Sequence, residues 1–346
     1  MGEAQQAGGQ EAQEPRSLAE WLVTPVLAGL RGRDFLSLRD FSPAELQALI
    51  GLARTLKACR QRGEPTPVLT GRSLAMIFQK PSTRTRVAFE VGMFELGGQA
   101  LYLNAADLQL GRGESIADTA RVLSRFVHAI LIRTYSQDEV EELARYASVP
   151  VINGLTDLLH PTQVLADLIT LTEKWGKLAG HTMAYVGDGN NMAHSLLFGA
   201  ALTGLHLRVA TPPDYPPQAA ILEQAQALAQ RWRTGAQLVW TTDSIAAVAG
   251  AHAVYTDTWV SMGQEQGAER KRAVLRPYQL NLQLLNRAAA GALVLHCLPA
   301  HRGEEATDEV LDGPTSVIFD EAENRLHAHK AILTALLAGG TALPAS

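Results

Sequence analysis

Leu74-Ala75-Met76-Ile77-Phe78-Gln79-Lys80-Pro81-Ser82-Thr83-Arg84-Thr85-Arg86 decides how this chain is read. An apolar run of strand length, 74–78, passes into hydroxyls and arginines that open a helix. Strand followed at once by helix is the unit of a parallel α/β sheet. Working outward, comparable apolar runs occur at 100–103, 128–132, 149–152, 182–186, 205–210, 253–256, 293–296 and 317–319. Longer amphipathic segments separate most of them, which predicts parallel sheets covered by helices on both faces. The runs divide near residue 155. The expected fold class is α/β: two doubly wound parallel-sheet domains with an interdomain cleft. The expected division is a flexible extension over 1–33, a first domain over 34–157 and a second over 158–325.

Composition narrows the function. The chain has 346 residues, long enough for two domains. It is 47% hydrophobic and 19% charged, as expected of an ordinary globular protein. Its formal charge of -5 argues against a general nucleic-acid binder. A few arginines in a cleft can still set a local field for an anionic substrate. Two cysteines, Cys59 and Cys297, are too few for a disulfide framework, so a cytoplasmic location is expected. No apolar run is long enough to cross a membrane. The polar N-terminal residues fit neither a secretory signal nor an Arg-rich transit peptide. They read as an extension with a short helix near 18–30. Ser42-Pro43-Ala44-Glu45 predicts a capped helix start, and the proline-rich 211–217 stretch predicts a surface loop.

Five clusters carry chemistry. In Ser82-Thr83-Arg84-Thr85-Arg86, three hydroxyls and two arginines sit where free backbone N–H groups and the helix dipole favour an anion. A plain N-cap would need only one hydroxyl. His160-Pro161-Thr162-Gln163 sets a histidine and an amide together at a helix entrance, although a histidine in a turn is common by itself. His296-Cys297-Leu298-Pro299-Ala300-His301-Arg302 follows a strand directly, where ligands of open α/β sheets bind. Metal binding is not expected there, since no second ligand pair at zinc spacing appears; a buried inert cysteine is the ordinary alternative. Asp257-Thr258-Trp259-Val260-Ser261-Met262-Gly263 puts a carboxylate and a hydroxyl after another strand, suited to a cationic amino acid or simply to a turn. Val186-Gly187-Asp188-Gly189-Asn190-Asn191-Met192 suggests a dinucleotide turn, but the third glycine of that fingerprint is replaced by Met192.

Taken together, these residues resemble the aspartate and ornithine carbamoyltransferase family, over about residues 34–337. The 82–86, 160–163 and 296–299 segments are similar to its three signatures, in the same order, and 257–263 is similar to its ornithine-specific loop. The resemblance implies that Ser82, Thr83, Arg84 and Thr85 hold the phosphate of carbamoyl phosphate, with Arg133, His160, Gln163 and Arg325 completing that site. It implies that Gln109 reaches the site of a neighbouring subunit. It implies that Asn191, Asp257, Ser261, Met262, Cys297 and Leu298 bind ornithine. Arg133, His160, Cys297 and Asp257 are the expected catalytic set. The first domain would bind carbamoyl phosphate and the second ornithine, with a last helix over 326–340 crossing back to the first. The implied assembly is a homotrimer, with no metal and no organic cofactor.

The implied reaction is attack by a neutral amine on a carbonyl carbon, with phosphate leaving. Acetylornithine, putrescine and aspartate are rival acceptors within the family. A nucleotide-binding oxidoreductase and an inactive regulatory protein are readings from other classes.

Overall fold

The computed structural model describes residues 16–109, 113–261, 263 and 266–342. In chain order the helices are α1 (Leu18–Leu22), α2 (Pro25–Ala28), α3 (Pro43–Gln61), α4 (Thr83–Glu95), α5 (Ile116–Leu123), α6 (Gln137–Tyr146) and α7 (Pro161–Trp175). They continue with α8 (Asn191–Thr203), α9 (Ala219–Trp232), α10 (Ser244–Val248), α11 (Ala268–Leu275), α12 (Leu282–Leu285), α13 (Asp308–Leu311) and α14 (Ile318–Ala338). The strands are β1 (Ser73–Phe78), β2 (Gln99–Asn104), β3 (Ala129–Arg133), β4 (Val151–Leu155), β5 (Thr182–Val186), β6 (His206–Ala210), β7 (Leu238–Thr241), β8 (Ala253–Tyr255) and β9 (Leu293–Leu295).

Two parallel sheets result, ordered β2-β1-β3-β4 and β7-β6-β5-β8-β9. β3 and β5 are buried along their whole length, which is why they read as unbroken apolar runs. Each order reverses direction once, between β1 and β3 and between β5 and β8. Crevices open at such reversals, at the carboxyl ends of the strands.

One apolar core joins the two sheets, running from Leu74 and Met76 through Leu165 and Leu168 to Met183 and Leu207. α7 lies in the middle of it and is buried on all sides from Pro161 to Thr172. α14 returns to the first sheet and packs on α3, α4 and α7. Lys330 Nζ meets Glu95 Oε2 at 2.8 Å, and Lys57 Nζ donates to Asn324 Oδ1 at 2.9 Å. The α3 start is capped as predicted: Ser42 and Glu45 bond reciprocally, with Pro43 at the first turn. No described helix is long and apolar enough to cross a membrane.

Three expectations need correction. Residues 317–319 are not a strand. Val317 donates one backbone bond to Val294, and then α14 begins at Ile318, eight residues before the predicted start, because the helix-forming 320–326 segment captures the short apolar run. β7 was absent from the predicted runs although Leu238-Val239-Trp240 is apolar; it is a short edge strand with Val239 and Trp240 exposed. The N-terminal segment is packed from α1 onward rather than forming a flexible extension through residue 33. Leu22, Leu27 and Leu30 are buried, and Trp21 Nε1 donates to Thr55 Oγ1 at 3.0 Å. Residues 1–15 of the expected extension lie outside the described residues.

Leu27 is fully buried, so Leu27→Ala should destabilise the protein by about 2–5 kcal/mol, read from urea unfolding against the parent. A variant as stable as the parent would show that this segment is not part of the core.

Candidate active site

A cavity of about 870 Å³ opens between the carboxyl ends of the two sheets. Its first wall is built at the β1/β3 reversal. β1 ends at Phe78 and, after Lys80-Pro81, the chain enters α4 with Ser82 as N-cap. Ser82 Oγ accepts from Thr85 N at 3.3 Å, and Ser82, Thr83, Arg84 and Thr85 all line the cavity. Arg133 closes β3, paired in register with Phe78. Arg325 comes from α14; its Nη1 donates to Gln163 Oε1 at 2.5 Å and its Nη2 to Thr85 Oγ1 at 2.9 Å.

Three guanidinium groups therefore face one space. Arg133 Nε is buried with no hydrogen-bond partner. Burial, reinforced by Arg325 and Arg84, brings Arg133 down to about 9. Burial and Arg84 bring Arg325 down to about 10. Burial also lowers Arg84. His160 is buried beside them, and burial with the charges of Arg325 and Arg133 holds its ring neutral. This wall is chemically suited to an anion, with neutral His160 as an adjacent polar group.

The second wall is built at the β5/β8 reversal and after β9. Asn190 caps α8 and its Nδ2 donates to Asp257 Oδ2 at 2.7 Å. Thr258 N donates to Asp257 Oδ1 at 2.7 Å, and Cys297 Sγ donates to the same oxygen at 3.0 Å. Burial, then the Asp257 charge, pushes the Cys297 thiol far up. The thiol is thus a neutral donor rather than a poised nucleophile. Asn191 Nδ2 donates to the Thr156 carbonyl at 2.6 Å, and Ser261 and Leu298 line the same wall.

Ser82, Thr83, Arg84, Thr85, Arg133, His160, Gln163, Asn191, Asp257, Ser261, Cys297, Leu298 and Arg325 thus share one cavity, although they come from the whole length of the chain. Gln109 does not line it; it is exposed on the first domain. Met262 lies outside the described residues. The turn at Gly187 serves the Asn190 cap and the Asp257 pairing, and no nucleotide fingerprint is completed there.

Sequence reasoning missed several lining groups. Lys271 Nζ pairs with Asp188 Oδ2 at 2.7 Å, and Lys80 pairs with Asp157 while lying over the Tyr135 ring. Lys271 sits among Glu269, Arg270 and Arg272, which read as a solvated helix face, so no local signal marked it. Lys80 and Asp188 lie inside the 74–86 and 186–192 motifs, where nothing local marks Asp157 or Lys271 as their partners.

Fold and cavity define a two-domain α/β protein with an anion receptor facing a carboxylate-bearing wall. Family models agree with both halves. Residues 33–173 match the carbamoyl-P binding domain of aspartate/ornithine carbamoyltransferase, and residues 179–336 match its Asp/Orn binding domain. The ornithine carbamoyltransferase of Carboxydothermus hydrogenoformans is 56% identical over 312 residues, covering 90% of this chain and 100% of that protein. That of Pyrococcus abyssi is 53% identical, over 91% of this chain and 98% of its own. The structure of the Pyrococcus furiosus ornithine carbamoyltransferase superposes with a TM-score of 0.87 at 52% identity, covering 90% of this chain and 98% of that one. The chain belongs to the aspartate/ornithine carbamoyltransferase family.

The neutral Cys297 thiol gives a direct test. Its alkylation by iodoacetamide at mildly alkaline pH should be at least about tenfold slower than that of an unstructured cysteine peptide. Asp257→Asn should speed it, because the carboxylate opposes thiolate formation. Peptide mass spectrometry reads both rates, and a fast parent rate would mean the thiol is ionised.

Proposed function

We infer that this chain transfers the carbamoyl group of carbamoyl phosphate to the side-chain amine of L-ornithine, giving L-citrulline and phosphate. The convergence of Arg84, Arg133 and Arg325 on one cavity, facing Asp257 and Cys297, carries this reading. The first wall offers what a phosphate dianion needs: planar two-point donors, hydroxyls and a helix N-terminus. The second offers what an amino acid with a cationic side chain needs: a carboxylate and amide groups.

Ser82, Thr83, Arg84 and Thr85 hold the phosphate in this proposal, and Arg325 and Gln163 complete the site. The amine nitrogen attacks the carbonyl carbon, and the carbonyl oxygen gains negative charge in the tetrahedral intermediate. Arg133, His160 and Thr85 stabilise that oxygen. The bond from carbon to the phosphate oxygen then breaks, and the phosphate leaves with the proton that the amine gives up. Asp257 and Cys297 orient the amine; Asn191, Ser261, Met262 and Leu298 hold the rest of ornithine. Fixing the two reactants face to face supplies much of the rate. The site asks for no metal and no organic cofactor in this scheme.

The proposal extends to a homotrimer acting in arginine biosynthesis in the cytoplasm. Val87, Phe94, Leu101 and Phe126 are exposed on the first domain, as suits burial against another copy, and exposed Gln109 would reach the neighbouring site.

Product formation from carbamoyl phosphate should occur with ornithine and not with acetylornithine, putrescine or aspartate, each offered alone. Turnover with a different amine would overturn the acceptor assignment. Arg84→Ala should lower the rate by at least about 10²-fold, the scale of one preorganised donor lost, and near-normal turnover would sink the phosphate role of Arg84.

A further inference from the structure

Behind Gln163 and Arg325, outside the cavity lining, two carboxyl groups are buried together. Asp167 belongs to α7 and Glu321 to α14, and neither has any exposed surface. Gln163 Nε2 donates to Asp167 Oδ1 at 2.8 Å and to Glu321 Oε1 at 3.0 Å. The Tyr255 hydroxyl donates to the same Glu321 oxygen at 3.0 Å. The backbone N–H of His296 donates to the other, also at 3.0 Å. Glu321 therefore accepts from three donors, whereas the second Asp167 oxygen, Oδ2, is buried with none.

Two neighbouring carboxyls out of water cannot both ionise. Burial raises Asp167 to about 7, and burial together with the Asp167 charge raises Glu321 far above the usual carboxylate range. The pair thus keeps one proton well past neutrality. The two carboxyls are hydrogen-bonded to each other, and that proton is shared between them.

We propose that Asp167 and Glu321 form a proton-sharing pair that positions Gln163 and Arg325 for carbamoyl phosphate. The inference rests on the function proposed above. With both amide hydrogens of Gln163 held by the pair, its oxygen must face the opposite way, onto Arg325 Nη1. Arg325 is thereby aimed at Thr85 of the anion wall. The same Glu321 holds the His296 backbone, immediately before Cys297 on the opposite wall. One proton sets both walls. Asp167 and Glu321 are positioning residues, since neither lines the cavity.

The charged and titratable groups around the pair are His160 on α7, Tyr255 and Asp257 at β8, His296 and Cys297 after β9, Arg325 and His329 on α14, and Arg84 on α4. Loss of the shared proton adds a second negative charge and drives the carboxylates apart, which releases the Gln163 amide. Affinity for carbamoyl phosphate then falls as pH rises, toward about tenfold per pH unit once the proton is lost. Asp167→Asn presents an amide NH₂ to Glu321 in place of the shared proton and keeps an oxygen for Gln163, with no proton to lose. Asp167→Ala removes both.

The test measures kcat and the KM for carbamoyl phosphate against pH at saturating ornithine, in the parent, Asp167→Asn and Asp167→Ala. Asp167→Ala should raise that KM about tenfold at neutral pH, the scale of a buried hydrogen-bond partner lost. Asp167→Asn should restore most of it and abolish the alkaline rise. Infrared difference spectra should show a protonated-carboxyl stretch in the parent at mildly alkaline pH that Asp167→Asn removes. An Asn variant as impaired as the Ala variant, or a parent with no such band, overturns the proposal. Failure of the parent to form citrulline would sink the proposed reaction instead, and the infrared band, which needs no turnover, would still decide the pair.

Discussion

Positive charge buried in excess of the negative charge around it is the constraint on which this molecule is arranged. Arg133 and Arg325 are almost wholly removed from water, and Arg84 faces the same space. Burying a charge is costly unless it is paired, and a lone ionisable group usually relieves the cost by shifting its pKa. Even at about 9 and about 10, Arg133 and Arg325 remain cationic near neutrality. In the proposed function, an anion entering the cavity supplies further relief. Arg325 bonds to Gln163, Thr85 and His329, none of them acidic, so no internal carboxylate competes for its charge through those contacts.

The fold supplies the rigidity that such a cluster needs. Repelling groups stay together only if their backbones are fixed by stronger forces elsewhere. β1 and β3 are adjacent and register Phe78 against Arg133, which sets the α4 entrance beside the Arg133 side chain. α14 is anchored along its length by Lys57, Glu95 and the apolar faces of α3, α4 and α7, so Arg325 cannot retreat. α7 carries His160 and Gln163 at its entrance and is held in core on every side. The reversal of strand order in each sheet turns these anchored elements toward one space.

Much of this was legible in the sequence because the carriers are local. A strand ending in 78 followed by three hydroxyls and two arginines is a pattern within one short segment, and its physics is that of a helix N-terminus. The same holds for residues following β5, β8 and β9, where an apolar run ends in polar groups. What was not legible is long-range. Glu321 and Asp167 are far apart in sequence and read as helix-surface acids; only the packing of α14 on α7 buries them together. Lys271 reads as one of several solvated charges until α11 folds against Asp188. The start of α14 was misread because 317–319 is apolar enough for a strand, and the competing helical preference lies in the residues after it. The packed α1 and α2 were underestimated because each is only about one turn long, too short for periodicity to show.

The second wall has to solve the opposite problem from the first. An ornithine amine reaches the protein mostly as ammonium, yet only the neutral amine can attack. A free buried carboxylate beside it would hold it as a cation and stop the reaction. Asp257 is not free: Asn190, Thr258 and Cys297 all donate to its two oxygens. Those bonds satisfy much of the carboxylate and weaken its hold on one more proton-bearing donor. They depend on Cys297 staying a neutral thiol, since a thiolate could not donate and would add its own attraction for ammonium. The arginine wall, a short way across the cavity, disfavours a cation near the carbonyl carbon. In the proposed function, a carboxylate already occupied by donors and a cluster of guanidinium groups orient the reacting nitrogen without locking it in its charged form. The departing phosphate, the one strong base that the reaction itself brings in, can then take the proton.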